Sequence, residues 1–196
     1  MDITKVKIFN LALNNLGVSI QINNANQDDD PRAQMLSNYY EIARDSVLEA
    51  HEWSFASVRT TLANMQKSCD PNFRFACKLP SDCIAARAII EPYSKKEKKF
   101  ENAINENGEK IILTNYSPCI LRYTKRIENE AMFSASFINC LAFYLAYLAA
   151  QVIVGSANKK NTNFQDYQIS IRQAMLNDVR KDVNHDQDDL IYTDMR

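Results

Sequence analysis

Residues 44–56 join a strongly helical pattern to the only tryptophan of the chain, after which the pattern changes (RDSVLEAHEWSFA). Upstream, apolar and aromatic residues recur at the 3.6-residue period of one helix face. These residues are Leu36, Tyr39, Tyr40, Ala43, Val47 and Leu48. After Trp53 the pattern becomes extended, so a buried aromatic is predicted to lock a helix-to-strand corner, whose residues are Trp53 and Phe55.

Two helices are predicted before this corner. The first has an apolar stripe formed by Ile3, Val6, Phe9, Leu13 and Leu16. It is expected to end at Gly17, because glycine tolerates the left-handed conformation found just past many helices. The second is predicted over residues 31–51, where Asp30 and Pro31 form a helix-start signal.

Two more helices are predicted in the second half of the chain. Residues 133–156 place Ala142, Ala146, Ala149 and Ala150 along one ridge, which favours close packing at the centre of a bundle. Residues 162–181 form the fourth helix. Its apolar stripe consists of Phe164, Tyr167, Ile171, Met175 and Val179.

Between the second and third helices the helical period disappears and short alternating runs replace it. Asn107 and Gly108, flanked by Ile104 and Ile111, are predicted to form a type I′ hairpin turn. The chain is therefore predicted to be mainly α with a small β region, an α+β fold. Residues 1–52 and 131–182 would form a four-helix bundle in a single domain, 1–182, with an antiparallel sheet or hairpin inserted at 53–130.

The last residues, 183–196, are acidic and show no helical period, so they are predicted to form an extended tail. The tail carries isolated apolar residues, namely Leu190, Ile191, Tyr192 and Met195. They are too few to form a core but are spaced to anchor a peptide in the groove of a partner.

The net charge of the chain limits the classes of partner that it is expected to bind. The formal net charge is −1 and the isoelectric point is near 6.1. A dedicated nucleic-acid binder needs an excess of Lys and Arg for phosphate contacts, so weak affinity for DNA is expected. The lysine-rich run at 95–99 is interpreted as a solvated loop.

Five cysteines, an odd number, and an N-terminus without an apolar signal core favour a reducing cytoplasm. The spacing of Cys69, Cys77 and Cys83 is not that of a zinc site, so buried free thiols are expected. The uncharged run at 131–158 raises a transmembrane alternative. Polar residues interrupt that run, and only 140–150 is unbroken, which favours a helix buried in a protein core.

No catalytic, cofactor or metal site is predicted. His51 could act as a base for Cys83 or Cys140, but a histidine at a helix end more often meets backbone carbonyls. The aspartates at 28–30 fit a helix start, and those at 186–189 lack the glycine and glutamate of an EF-hand loop.

Three segments resemble, in order, the tail tubular protein A family, the head-to-tail adaptors of short-tailed bacteriophages. They are residues 12–17 (ALNNLG), residues 43–56 with Arg59 and Leu62, and residues 75–83 (FACKLPSDC). Glu52 stands where similar sequences often have proline.

The resemblance implies a structural virion protein and not an enzyme. Proteins of this family form a twelve-subunit ring beneath the portal protein, extend the DNA channel, and carry the tail nozzle (tail tubular protein B) and tail fibres. Genomic DNA would pass without sequence-specific binding, no membrane would be involved, and assembly would take place in the cytoplasm of the infected bacterium. The tail at 183–196 is the segment expected to dock on the portal.

Two alternatives remain open. A helical, ring-forming DNA-packaging or regulatory module, such as a small terminase component, would share the helices but would need a basic face. A cysteine hydrolase would need Cys83 or Cys140 to be a reactive thiol.

Overall fold

The computed structural model of the protein describes residues 4–24, 30–62, 65–90 and 97–193, with only the backbone described at 65–66 and 179–193. The chain divides into two compact units. Met1–Phe55 and Ile127–Arg196 form the helical unit, and Ala56–Arg126 form the β unit.

The helical unit contains four α-helices within the described residues. They are α1 (Lys5–Leu16), α2 (Pro31–Ala50), α3 (Ala135–Ile153) and α4 (Ala157–Thr193). Helix α3 packs against each of the other three, so its predicted central position is confirmed. The predicted alanine ridge of α3 is buried.

The predicted end of the first helix and the predicted start of the second helix are confirmed. Gly17 adopts a φ of +82° just past α1, and its N–H donates to the Asn14 carbonyl at 2.9 Å. At the start of α2, the Asp30 side chain accepts the Arg32 N–H at 2.9 Å. These contacts satisfy backbone groups that the helix itself leaves without partners.

Among the described residues, one helix, α3, is long and apolar enough to cross a membrane by length and composition. Half of its most apolar 18-residue window is buried within the protein. Since α3 packs against α1, α2 and α4, its buried apolar residues have protein partners, as expected for a core helix.

The predicted fourth helix is present, but its bounds differ from the prediction, and the predicted extended tail is wrong. Helix α4 runs over Ala157–Thr193, so the backbone of the predicted extended tail is helical up to Thr193. Of the predicted apolar stripe, Ile171 is buried, whereas Phe164 is 37% exposed. Among the residues of α4 whose side chains the structure describes, 157–178, the buried ones are Asn163, Ile171, Ala174 and Asp178.

The β unit contains two four-stranded antiparallel sheets. The first sheet has the order β1-β8-β4-β5, with β1 at Ser57–Thr61, β4 at Cys83–Ile90, β5 at Glu97–Lys98 and β8 at Ile120–Lys125. The second has the order β2-β3-β7-β6, with β2 at Met65–Lys67, β3 at Phe75–Lys78, β6 at Phe100–Ile104 and β7 at Lys110–Thr114.

Both sheets contribute to one core. Ile89 and Leu121 of the first sheet are fully buried in the same cluster as Cys77 and Ile112 of the second. The predicted four-helix bundle with one small inserted sheet or hairpin is therefore wrong, because residues 56–126 build a two-sheet unit with its own core. The protein is an α+β mixture with a substantial sheet component.

The predicted hairpin exists, but its turn is different. Strands β6 and β7 pair antiparallel, with Ile104 opposite Lys110. The Gly108 N–H donates to the Asn105 carbonyl at 2.9 Å, so Glu106 and Asn107 occupy the middle of the turn. Gly108 follows them with a φ of +77°, as in a longer loop that ends on a left-handed residue.

Candidate functional site

Trp53 lies between the end of α2 and a short 3-10 turn at Ser54–Ala56. Its side chain is fully buried. The indole Nε1–H donates to the Val47 carbonyl at 2.8 Å, which satisfies both the buried indole donor and a carbonyl in the last turn of the helix. The side chain thereby fixes the direction in which the chain leaves α2.

An aromatic cluster of the helical unit surrounds Trp53, and we call it the corner cluster. Its members are His51, Trp53, Phe55, Phe133 and Phe137. The rings of Trp53 and Phe137 meet edge to face, with centroids 5.1 Å apart. Phe55 contacts both Phe133 and Phe137, so it ties the corner to the start of α3.

Asp178 of α4 also contacts the corner, through Ser54 and His51. Its carboxylate accepts the Ser54 N–H at 2.9 Å and the Ser54 hydroxyl at 2.8 Å. The His51 Nε2 atom lies 3.4 Å from the same carboxylate. The Asp178 side chain is only 7% exposed, so these polar contacts compensate for the burial of its charge.

Sequence reasoning missed Asp178 and Ser54. The sequence holds a partial signal for Asp178, because Asp178 follows Ile171 of the predicted stripe and Ala174 at helical spacing on the same face of α4. A carboxylate on a buried helix face usually has a hydrogen-bonding partner. The spacing does not indicate that this partner is Ser54.

The residues predicted to dock on the portal lie at the far end of α4. Leu190, Ile191 and Tyr192 are part of its helical backbone. Met195 lies outside the described residues. The aspartates at 186–189 also lie on this helix, whereas Asp28 and Asp29 fall outside the described part of the chain.

The two candidate cysteines occupy different surroundings. Cys140 is fully buried in the helical unit, with its thiol 3.3 Å from the Ser170 hydroxyl. Cys83 begins β4, and its burial, followed by the nearby Asp82 carboxylate, raises the pKa of its thiol to about 11. A thiol with that pKa stays protonated at neutral pH, which weakens it as a nucleophile. No group of three potential metal ligands occurs among the described residues.

Charge is divided unevenly between the two units. The β unit contains 13 Lys and Arg and 7 Asp and Glu, a net charge of +6. The helical unit contains the remaining 10 basic and 17 acidic residues, a net charge of −7. The net charge of −1 for the whole chain therefore conceals one basic and one acidic unit.

Comparison with known proteins finds no family model that matches this chain and no match among curated proteins. The resemblance to the tail tubular protein A family therefore depends on the sequence segments at 12–17, 43–56 and 75–83.

Proposed function

We propose that this protein is a structural virion protein, the head-to-tail adaptor of a short-tailed bacteriophage. Copies of the chain, twelve in the resembling family, would form a ring in the neck of the virion between the portal and the tail nozzle. The ring would extend the DNA channel and carry the distal tail proteins and fibres. The observation that carries the proposal is the segment at 43–56, whose sequence resembles the family at the corner around Trp53.

The corner suits a protein that works by assembly. Trp53 is held by a hydrogen bond and by edge-to-face ring contacts, and Asp178 anchors Ser54 through two further hydrogen bonds. A unit whose interior is already rigid loses less conformational entropy when it binds a partner. The corner thus supports the helical unit as a preformed building block of a ring.

In this proposal, the end of α4 docks on the portal. Leu190, Ile191 and Tyr192 are the anchors, together with Met195. Because the backbone of α4 is helical up to Thr193, docking would place a helix in a groove of the partner. The β unit would face the nozzle and the fibres.

The experiment compares co-elution of the full chain and of a chain lacking residues 184–196 with a purified portal ring. We expect the full chain to bind and the truncated chain to lose binding while its circular dichroism spectrum and unfolding midpoint stay close to those of the full chain. A triple variant, with Leu190, Ile191 and Tyr192 replaced by Ala, should behave like the truncated chain.

The matched control replaces Asp186, Asp188 and Asp189 of the same helix by Asn, and it should keep binding. Full binding by the truncated chain would remove the C-terminal segment from the portal interface. A full chain that ignores the portal would contradict the adaptor function itself.

The second candidate is a DNA-packaging module, such as a small terminase component. The net charge of +6 on the β unit favours it, because such a module needs a basic face. The two functions separate on one measurement. An adaptor binds the portal ring in the absence of DNA, whereas a packaging module leaves the isolated portal unoccupied.

A further inference from the structure

A groove of about 300 Å³ opens in the β unit, and we call it the basic groove. Three cations line it from separate segments: Lys78 at the end of β3, Lys110 at the start of β7, and Arg126 just after β8. Glu109 is the one carboxylate of the lining, and it forms an ion pair with Lys78. The lining residues therefore carry a net charge of +2.

Backbone hydrogen bonds fix where these cations lie. The Leu79 N–H donates to the Lys110 carbonyl at 3.0 Å, which joins the residue after β3 to the start of β7. The Arg126 N–H donates to the Asp82 carbonyl at 2.8 Å, which joins the end of β8 to the turn before β4. The convergence of the three cations thus follows from the pairing of the strands, although their side chains are long and exposed.

The chemistry of the groove selects a ligand class. A protein partner needs an apolar centre in its interface, and the groove offers mainly Leu79 and Pro80 for this. Phosphate oxygens, in contrast, are bound by Lys and Arg through charge-assisted hydrogen bonds and need little apolar surface. We propose that the basic groove binds phosphate groups of a nucleic-acid backbone, independently of base sequence.

The charge of the β unit supports the same ligand. A net charge of +6 attracts a polyanion over a distance, and the groove then provides local contacts. Since only two or three phosphates are neutralised, affinity is low at physiological salt and rises at low salt. A site of this low affinity is compatible with the weak binding of DNA that the net charge of the whole chain predicts. The proposal stands independently of the adaptor function, because it requires neither the portal nor a ring.

The test measures binding of the full chain to a short labelled DNA duplex of mixed sequence by fluorescence anisotropy over a range of salt concentrations. The groove variant combines Lys110→Glu with Arg126→Glu, and both positions are exposed. We expect this variant to weaken binding about tenfold at low salt and to reduce the salt slope by about 2. A second variant, with Gln at both positions, removes the charges without adding repulsion and should shift the slope in the same direction.

The matched control combines Lys159→Glu with Arg172→Glu, two exposed positions of α4 in the helical unit, and changes the net charge equally. It should leave the affinity for DNA and the salt slope close to those of the unchanged chain.

Equal weakening of DNA binding by the control and groove variants would overturn the proposal, as would a groove variant that binds DNA as tightly as the unchanged chain. Competition by polyglutamate as strong as that by DNA would also overturn it, in favour of an acidic protein. Saturation of the groove by inorganic phosphate without any DNA binding would overturn the nucleic-acid assignment.

Discussion

The two units of this protein differ in both core and charge. The helical unit is acidic, and its corner is packed by aromatic rings around Trp53. The β unit is basic, and its core consists mostly of aliphatic side chains and thiols, with Ile89, Ile112 and Leu121 fully buried. The difference shows that the net charge of a chain does not describe its surface. The β unit is suited to anionic partners, but the isoelectric point of the whole chain does not reveal its positive charge.

The largest effect is expected for Trp53→Ala in the helical unit. The substitution removes a fully buried indole and leaves the Val47 carbonyl without its donor, so it should lower the free energy of unfolding by about 3–5 kcal/mol. Urea unfolding followed by far-ultraviolet circular dichroism measures this. Trp53→Phe is the control, because it keeps an aromatic ring and should cost less. Equal losses for Phe and Ala would show that the ring contacts contribute little.

The next effect tests whether the two cores are separate. Leu121→Ala should destabilise the β unit by about 2–5 kcal/mol, since Leu121 is fully buried between the two sheets. Hydrogen exchange, read by mass spectrometry of peptides from each unit, should show faster exchange in the β unit for this variant. Trp53→Ala should instead accelerate exchange in the helical unit. If each variant loosens both units equally, the two-core description fails.

A smaller effect is expected for Asp178→Ala. The substitution removes the acceptor of two hydrogen bonds from Ser54, one of them from its backbone N–H. Losing two hydrogen bonds to a charged acceptor should cost about 1–3 kcal/mol of stability in the helical unit. Asn177→Ala, at the exposed neighbouring position, serves as the control and should change the unfolding midpoint little. A control as damaging as Asp178→Ala would assign the loss to the helix instead of the corner.

The smallest effect concerns the start of α2 and depends on pH. The hydrogen bond from the Arg32 side chain holds the pKa of Asp30 below its ordinary value of 3.8. Asp30 therefore stabilises the fold above that value, and the contribution is lost as pH falls through the lowered pKa. Asp30→Ala should cost about 0.5–2 kcal/mol at neutral pH. Unfolding measured at several pH values should show this difference shrinking in acid.

Asp30→Asn is the control for this prediction. Asparagine can still cap the helix, but it does not ionise, so much of the stability at neutral pH should remain without the acid-dependent part. A difference between the native chain and Asp30→Ala that is constant down to low pH would contradict the assigned role of Arg32.

The sequence predicted the helical unit far better than the β unit, for physical reasons. A helix makes its hydrogen bonds locally, so the stripe ending at Leu16 and the glycine after it were sufficient to define α1. Strands pair with distant partners, and β1 pairs with β8. Strands as short as β2, with three residues, and β5, with two, give almost no periodic signal.

The corner was also only partly predictable. Trp53 was expected to be buried because a single large aromatic followed a strong helix. The contact with Asp178 joins positions 124 residues apart, and no local pattern reports such a pair. The charge division became visible only when residues 56–126 were known to form their own unit.

The most direct test of the adaptor function is the mass of the protein in solution, measured alone and with a purified portal ring. We expect a largely monomeric protein alone and a multi-subunit ring that forms on the portal, because the partner completes the assembly surface. A small dimer that forms alone and is unchanged by the portal would contradict it.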